Sequence, residues 1–526
     1  MSGVIQNPAG EAQVRPTGLA ATLSKNVAVS LARVMVNSVV ALVLPAYLTH
    51  HLPVSTYSAW VLILQLAAYV SFLDFGVQVA IAKFVAEFEA RGDQVTAGQY
   101  ASAGLAIMLV AAVLGCCLSG ALAWQVPRLF HSMPASLYRD VRVSVLLVGF
   151  SFSLGLVCSV FSAVFLGLQR YSVPMVIAIL NKLLFTAAVL IAVLLHGSLA
   201  AMGAAAAAIN GGTGLLQVVA WRNLASNIRV SIGLLSLNVL KRVTRYCSTL
   251  SIWTFGMLCV SGLDVVIVGH YDFSQTGFYS IATLPTNFTI MIVSSMLSPM
   301  VPASSALSTH RSPSEMGDIL ARTTRYCTIF LLLLGLPLMV CGLPILRLWV
   351  GPAYALETFP YLRILVLANV IRNLCAPYAT MVAAMGKQAT ATAAAMCEAI
   401  VNLGSSLYLA QRFGAIGVAY GTVLGSLVSV SIHFAVTMHF THEVLSISRT
   451  RLLLKGLLRP AIAIVPSILI LPVWWSTTGV DRNPPIVIIW IASTLLLVWL
   501  GGLTQQERKN LMRFTTNRLM VRFGSG

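Results

Sequence analysis

Charged side chains, and acidic ones above all, are scarce in this sequence. Only 9% of the 526 residues are charged, with 15 Asp and Glu against 33 Lys and Arg, whereas a soluble domain carries about 25% charged residues. Apolar residues make up 58% of the chain, and the mean hydropathy is +0.87. So apolar a chain has too little polar surface to cover itself in water, and disorder requires the opposite composition. The sequence therefore predicts a polytopic membrane protein and excludes a soluble multidomain protein.

The sequence also lacks the motifs of metal, redox and nucleotide chemistry. None of the nine cysteines forms a C-x-x-C pair and nearly all lie in apolar runs, so neither a disulfide framework nor a zinc site is indicated. No H-E-x-x-H and no G-x-x-x-x-G-K-[ST] sequence is present. We therefore expect no metal, no cofactor and no ATP site in this chain. Any energy that the protein uses would come from an ion gradient, the substrate gradient or a partner.

Long apolar runs fill the chain instead. A helix that crosses a bilayer needs about 20 mainly apolar residues, and on this criterion the sequence predicts an all-α membrane protein with about 14 transmembrane helices. The predicted spans are Asn26–Leu48, Ser55–Phe75, Ala101–Trp124, Val143–Leu168, Val173–Leu195, Leu199–Trp221, Cys247–His270, Phe278–Leu297, Cys327–Trp349, Tyr361–Met385, Thr390–Leu409, Ile416–His439, Ala461–Trp475 and Pro485–Leu503.

The basic residues indicate how the chain is oriented in the membrane. If both termini are cytoplasmic, the loops on that side hold 23 of the 33 Lys and Arg, and the opposite loops hold 6. Cytoplasmic loops of membrane proteins carry such an excess of positive charge, so we expect a multi-pass protein with both termini in the cytoplasm. Because these residues are scattered over short loops, we expect no nucleic acid partner.

A weak internal repeat divides the chain into two halves. Small residues at four-residue spacing in the sixth span recur 214 positions later in the twelfth, as Gly203, Ala207, Gly211 and then Gly417, Gly421, Gly425. Such spacing places them on one helix face, where backbones can approach closely. We expect two pseudo-symmetric six-helix lobes (1–222 and 247–440) joined by a basic cytoplasmic linker (223–246), then an extra helix pair (441–503) and a basic amphipathic tail (504–526). Two-fold repeats are common in transporters, with the substrate site at their interface.

Four basic residues lie at membrane depth, where translocon scales assign each central Arg or Lys a cost of about 2.5–3.5 kcal/mol. They are Arg33, Lys182, Arg363 and Arg372. The planar fork of Arg suits an anionic diphosphate, whereas Lys provides a movable point charge. We predict that these four residues bind the substrate, although Arg363, nearer a helix end, could instead snorkel. We expect neighbouring amides to line the same cavity, namely Asn37, Asn181 and Asn402.

Three acidic residues, Asp74, Asp264 and Glu398, also lie at or near membrane depth. One reading pairs each of them with a cation as a structural ion pair, because charges in membranes often pair with one another. The other reading makes them candidates for coupling transport to protons or sodium. Since four cations exceed three acids, pairing cannot neutralise every cation, and the remaining positive charge favours an anionic substrate.

The segment from Tyr57 to Asp93 has a motif-like sequence: Tyr57-Ser58-Ala59-Trp60, Leu73-Asp74-Phe75-Gly76-Val77, Ala80, Lys83-Phe84-Val85-Ala86 and Arg91-Gly92-Asp93. With these residues the segment resembles bacterial polysaccharide flippases. In that family the second span begins with similar aromatic residues and ends in a similar Asp-hydrophobic-Gly turn, after which an amphipathic stretch leads into a basic-Gly-Asp loop. The family belongs to the multidrug/oligosaccharidyl-lipid/polysaccharide exporter (MOP) superfamily.

This resemblance implies a transporter rather than an enzyme. Members of the family move undecaprenyl-diphosphate-linked oligosaccharides, such as repeat units of O-antigen or exopolysaccharide, from the cytoplasmic to the periplasmic leaflet of the bacterial inner membrane by alternating access. Their central cavity is cationic, and Arg33, Lys182 and Arg372 match it by type. The implied partners are the lipid-linked glycan, membrane lipids and a polysaccharide polymerase or assembly complex, and the implied transport is ion-coupled.

Two other functions stay open from the sequence. The first is a cation-coupled multidrug exporter of the same superfamily, for which a more acidic or aromatic cavity is expected. The second is a polytopic membrane glycosyltransferase or polymerase that uses the same lipid donor. Such enzymes usually need a sizeable external loop with catalytic groups, and the longest external loops predicted here cover about residues 125–142 and 350–360.

Overall fold

The computed structural model describes residues 16–258, 262–465 and 484–509, and these residues are helical with short connections and no strand. The helices are α1 (Pro16–His51), α2 (Val54–Ala68), α3 (Val77–Glu89), α4 (Gln94–Leu129), α5 (Tyr138–Gly167), α6 (Ser172–Leu194), α7 (Leu199–Leu224), α8 (Leu237–Met257), α9 (Asp264–Tyr271), α10 (Thr276–Leu297), α11 (Met300–Leu307), α12 (Pro313–Val350), α13 (Pro352–Asn373), α14 (Ala376–Ala384), α15 (Gln388–Phe413), α16 (Ala415–Ile432), α17 (Met438–Phe440), α18 (Arg449–Leu452) and α19 (Pro484–Leu497).

The prediction of an all-α polytopic membrane protein is confirmed. Eleven helical stretches of the described chain are long and apolar enough to cross a membrane, and each overlaps one of the fourteen predicted spans. The predicted span Cys247–His270 is divided between α8 and α9 and includes residues 259–261, which lie outside the described residues. The predicted span Pro485–Leu503 overlaps a shorter apolar helix, Ile488–Gly502. Most of Ala461–Trp475, and the tail beyond residue 509, lie outside the described residues.

The helices group into two compact units. The first unit contains the described residues up to 44 together with 73–119 and 146–248, and the second contains 45–72, 120–145 and the described residues from 249 onward. In the second unit α15 packs along α16, and α13 contacts α10, α12 and α16. These contacts place α13 and α15, which carry Arg372 and Glu398, in the same bundle. The lobe boundaries inferred from the repeat stay a prediction.

Small residues allow α15 and α16 to pack closely. A Cβ atom added at Gly421 would lie 2.2 Å from Ser406 Oγ, and one added at Gly425 would lie 2.7 Å from Asn402 Cβ. The predicted close approach on this face of α16 is therefore confirmed. In the first unit Gly211, the counterpart of Gly425, does not have this effect, because a Cβ added there would meet no atom within 4 Å.

In the first unit, the predicted linker contributes the start of α8, which packs against α3 and α4 through aromatic rings. Phe84 stacks on Tyr100 with ring centroids 4.4 Å apart and meets Tyr246 of α8 edge-on at 5.8 Å. The ammonium nitrogen of Lys83 lies 4.4 Å from the centre of the Tyr246 ring, and the Arg242 guanidinium lies 5.4 Å from that of Phe84. These cation–π contacts join the linker to the segment that carries the resemblance.

Candidate functional site

The second unit contains a cavity of about 1310 Å³. Residues from α9, α10, α11, α13, α14, α15 and α16 line it, together with Gln65 of α2 and His433 just after α16. The polar and charged lining residues are Gln65, Asp264, Thr283, Thr286, Asn287, Asn369, Arg372, Asn373, Thr380, Gln388, Thr392, Glu398, Thr422, Ser429 and His433. A cavity with this lining can hold water and a polar or charged group within a bundle of apolar helices.

Arg372 and Glu398 form an ion pair in the wall of this cavity. Arg372 lies in the last turn of α13 and Glu398 in the middle of α15, and the arginine Nε donates a hydrogen bond to Glu398 Oε1. The Glu398 residue is 4% exposed, and the Arg372 side chain is 21% exposed. The Nη2 atom of Arg372 is buried and has no hydrogen-bond partner among the described residues. The guanidinium is therefore only partly used by Glu398.

Asp264 is a second acid in the same wall. It is the first residue of α9 and is 7% exposed. Its Oδ2 atom accepts hydrogen bonds from Tyr279 Oη at 3.3 Å and, more weakly, from Thr422 Oγ1 at 3.5 Å. The positive charge of Arg372 also acts on this carboxylate. The charged lining of the cavity is thus one arginine and two acids.

Asn and Gln side chains around this charged cluster form hydrogen bonds with neighbouring backbone and side-chain groups. Asn369 Nδ2 donates to the Thr286 carbonyl at 3.3 Å, and Asn373 Nδ2 donates to Asn369 Oδ1 at 2.6 Å. Gln65 Nε2 donates to the Gly262 carbonyl at 2.7 Å, just before Asp264 in the chain. Asn402, one turn after Glu398, is fully buried and accepts a hydrogen bond from Ser406. These bonds fix the elements that carry the charges.

The predicted site residues fall into two groups. Arg372, Asp264 and Glu398 meet in the cavity of the second unit, with Asn402 buried beside Glu398. Arg363 is in the same unit but does not line this cavity; it is exposed, and its guanidinium lies 5.5 Å from the centre of the Phe359 ring. Arg33, Asn37, Asp74, Asn181 and Lys182 belong to the first unit. The excess of positive charge expected in the interior is not found in the second-unit cavity.

Asn181 belongs to a polar network within the first unit. Its Nδ2 donates to Asn210 Oδ1 at 3.1 Å and to Thr213 Oγ1 at 2.7 Å, and Asn210 donates in turn to Ser151 Oγ at 3.2 Å. The neighbouring Lys182 is half-buried and Arg33 of α1 is exposed. Within the part of the chain that the structure describes, neither cation lies within ion-pairing distance of an acid.

Asp74 lies at a sharp turn of the first unit. It precedes Phe75 and Gly76, which have φ angles of 48° and 76°, and its carboxylate faces the backbone N–H groups of Gly76 and Gln78 at the start of α3. The N-cap residue of α3 is Gly76, and the Asp74 Oδ1 atom is buried with no hydrogen-bond partner among the described residues. The positive φ angle of Gly76 therefore accounts for the glycine of the Asp-hydrophobic-Gly pattern by backbone geometry.

Several residues of the cavity were not singled out from the sequence, among them Asn369, Thr422 and His433, and neither was Tyr279, which donates to the lining residue Asp264. Asn369 and Asn373 flank Arg372 on α13, so polar residues at helical spacing around a buried charge were the available signal. Thr422 and Tyr279 offered no such signal, because each is one of several hydroxyl residues in its helix. Among the described residues, no group of three or more His, Cys, Asp or Glu is placed to hold a metal ion.

Comparison with known proteins identifies the fold. The MatE family model matches residues 250–408, and no curated protein matches the chain. A solved structure of the lipid II flippase MurJ in an inward closed conformation superposes with a TM-score of 0.70 and 12% identity, over 90% of this chain and 97% of that one.

Two further transporters give structural matches. An inward-facing multidrug resistance MATE family transporter of the MOP superfamily gives a TM-score of 0.62 and 15% identity, over 77% of this chain and 95% of that one. A point mutant of the Vibrio cholerae MATE transporter VcmN gives 0.54 and 13%, over 81% and 97%. The chain is thus a multi-pass membrane protein with the fold of MOP-superfamily transporters.

Proposed function

We propose that this protein is a flippase that moves an undecaprenyl-diphosphate-linked oligosaccharide from the cytoplasmic to the periplasmic leaflet of a bacterial inner membrane. The observation that carries the proposal is the pair of cations in the first unit, Arg33 and Lys182, which have no acidic partner within the described residues. Positive charge held in membrane-spanning helices without a partner favours an anionic substrate. The match to a lipid II flippase supports a lipid-linked one.

A diphosphate needs such residues because its charge cannot cross the bilayer core alone. Moving an ion into a medium of low dielectric costs of order 20 kcal/mol before relaxation. Arginine N–H groups and the lysine ammonium replace part of the hydration of phosphate oxygens, and Arg33 supplies a planar fork for two of them. The polyprenyl tail stays in the bilayer while the sugar occupies the polar interior.

The acidic residues of the second unit are the candidates for ion coupling. Asp264 and Glu398 line the same cavity as Arg372; Glu398 is hydrogen-bonded to it and Asp264 acts on it through its charge, so a change in either acid's charge acts on a substrate-binding candidate. Asp74 is a weaker candidate because its carboxylate faces the start of α3. In this proposal both termini are cytoplasmic, and a polysaccharide polymerase or assembly complex receives the flipped lipid.

Reconstituted transport tests the proposal. We expect proteoliposomes containing the protein to expose a fluorescently labelled undecaprenyl-diphosphate oligosaccharide on the opposite leaflet, where an impermeant quencher reaches it. Arg33→Ala and Lys182→Ala should each lower the initial rate at least about tenfold, which corresponds to about 1.4 kcal/mol in the barrier. Lys241→Ala, which removes an exposed charge from α8 of the same unit, is the matched control. Full activity of both variants would contradict a cationic transport path.

The second candidate function is a cation-coupled multidrug exporter. It is favoured by the second-unit cavity, whose charged lining has two acids and one arginine, and by the fold shared with MATE transporters. In the same proteoliposomes this function predicts uptake of a cationic dye against its gradient and no movement of the labelled lipid. A glycosyltransferase or polymerase has less support, because the solved structures that share the fold are transporters.

A further inference from the structure

We infer that Arg372 changes partner during transport. In the state described here Glu398 holds its guanidinium; when substrate binds, the guanidinium moves to a phosphate of the lipid headgroup and Glu398 takes up a proton. Substrate and proton then bind together instead of competing. This inference rests on the proposed function for the chemistry of the anion.

The geometry leaves Arg372 ready for a second oxyanion. An arginine presents five N–H donors in a rigid fork, and an oxyanion that binds it side-on uses two parallel hydrogen bonds. Glu398 accepts a hydrogen bond from Nε, while the buried Nη2 is without a partner among the described residues. Both side chains line a cavity of about 1310 Å³, so an anion in it would lie beside the guanidinium, and the buried Nη2 becomes available to that anion when the Arg372 side chain moves.

Because Glu398 is buried, it should take up a proton when Arg372 leaves it. With this residue 4% exposed, loss of its arginine would leave an uncompensated buried carboxylate, which is strongly unfavourable. A buried acid avoids that cost by protonation. One proton from water therefore adds to a Glu398 carboxylate oxygen as the guanidinium leaves, and no covalent bond of the substrate changes.

Glu398 is a better acceptor for this proton than the other titratable groups around it. Asp264 keeps hydrogen bonds from Tyr279 and Thr422 when Arg372 moves. His433 lines the cavity with its Nδ1 3.1 Å from the Thr437 hydroxyl, and the thiol of Cys375 is also part of the lining. Glu398 is hydrogen-bonded to the charged guanidinium of Arg372, so this carboxylate loses its ionic partner when the pair separates.

Proton uptake on binding tests the inference with the full-length protein in nanodiscs of zwitterionic lipid. Titration calorimetry with farnesyl diphosphate in buffers of different ionisation enthalpy, near pH 7.5, measures protons taken up per ligand bound. We expect the native protein to take up about one proton more than Glu398→Gln does, because linkage equates proton uptake with the pH dependence of affinity. The ligand's own protonation is the same in both proteins and cancels.

The affinities provide a second readout. Native affinity for farnesyl diphosphate should fall by up to about tenfold for each unit of rising pH. Glu398→Gln, which removes the competing carboxylate, should bind at least tenfold more tightly at about pH 8 without that slope, and Arg372→Gln should bind weakly at every pH. The controls are Glu357→Gln, an exposed acid of α13, and farnesol, which has the same tail without phosphate.

The outcomes separate this inference from the proposed function. If Glu398→Gln keeps the native proton uptake, or if Asp264→Asn abolishes it and Glu398→Gln does not, the inference is wrong while the flippase proposal stands. A native protein that flips the labelled lipid but shows no pH slope overturns it as well, without needing any variant. A native protein that neither binds the diphosphate nor flips the lipid overturns both.

Discussion

Three residues of the Tyr57–Asp93 segment set the backbone conformation of its turns. Gly76 and Gly92 have φ angles of 76° and 74°, a region that glycine enters without steric cost. Asp93 accepts a hydrogen bond from the Thr96 backbone N–H at 2.9 Å and so caps the start of α4. Gly76, Gly92 and Asp93 are therefore explained by the turns that join α2, α3 and α4, whereas Lys83 and Phe84 pack on α4 and α8.

Asp93 gives a pH-dependent prediction. Hydrogen bonds from the Thr96 side chain and backbone hold the pKa of the Asp93 carboxyl below its ordinary value. Because the folded pKa is lower than the unfolded one, the stabilisation is complete above about pH 4 and is lost as the pH falls through the folded pKa. Asp93→Ala should therefore lower the Tm in detergent at neutral pH and have little effect in strong acid. Asp93→Asn keeps a capping oxygen without the charge, so its difference in Tm from Asp93→Ala should not depend on pH.

For Arg372, the sequence left open whether the side chain binds substrate or forms a structural ion pair. Its position in a span predicted a functional charge, and the structure places it in a cavity with two acids. The ion-pair reading applies to Arg372 and Glu398, whereas Arg33 and Lys182 have no such acid within the described chain. Some of the predicted cations therefore form an ion pair, and others have no acidic partner among the described residues.

At the scale of elements, the close packing of α15 against α16 depends on glycines in α16, which have no side chain. The stripe of glycines on α16 lets Ser406 and Asn402 of α15 approach its backbone. Small residues at four-residue spacing are the usual way for membrane helices to come close, because the hydrophobic effect does not drive their association. This contact holds Glu398 on α15 at a fixed position relative to Thr422 on α16.

A methyl group at Gly421 should disrupt this pairing. The added Cβ would lie 2.2 Å from Ser406 Oγ and 2.6 Å from its backbone Cα, and overpacking of this kind typically costs about 1–3 kcal/mol. We expect Gly421→Ala to lower the Tm and the rate of lipid flipping. Gly404→Ala, on α15 itself, meets no atom within 4 Å and should leave stability unchanged or raise it by up to about 1 kcal/mol. Equal stability of the two variants would contradict the close packing.

At the scale of the whole molecule, joint binding of substrate and proton sets the charge that one transport cycle moves. Each of the two phosphates of an undecaprenyl-diphosphate oligosaccharide carries a negative charge, so the lipid together with one proton moves one net negative charge outward. A charge that crosses the membrane gains about 2.3 kcal/mol per 100 mV. A potential negative on the cytoplasmic side therefore favours export.

Proteoliposomes with a potassium diffusion potential measure this charge. At equal pH on both sides, a potential of about 60 mV should change the equilibrium ratio of labelled lipid between the leaflets about tenfold in the native protein. Glu398→Gln, which carries no proton, should give a change of about a hundredfold at the same potential. Identical ratios in the two proteins would show that Glu398 does not carry the proton. A native ratio that is insensitive to potential would show electroneutral transport.

The sequence by itself determined the class of this protein, the positions of the spans and the turns around Gly76 and Gly92. Hydropathy and turn preference depend only on residues that are close together in the sequence. The sequence also marked Arg372, Asp264 and Glu398 as unusual, since each is a charge in an apolar run. Only the tertiary structure decided which charges meet, because a pair such as Arg372 and Glu398, 26 residues apart, depends on how two helices are rotated and packed. For the same reason the cavity, and the hydroxyls of Tyr279 and Thr422 on Asp264, follow from the packing of the helices and cannot be derived from local sequence.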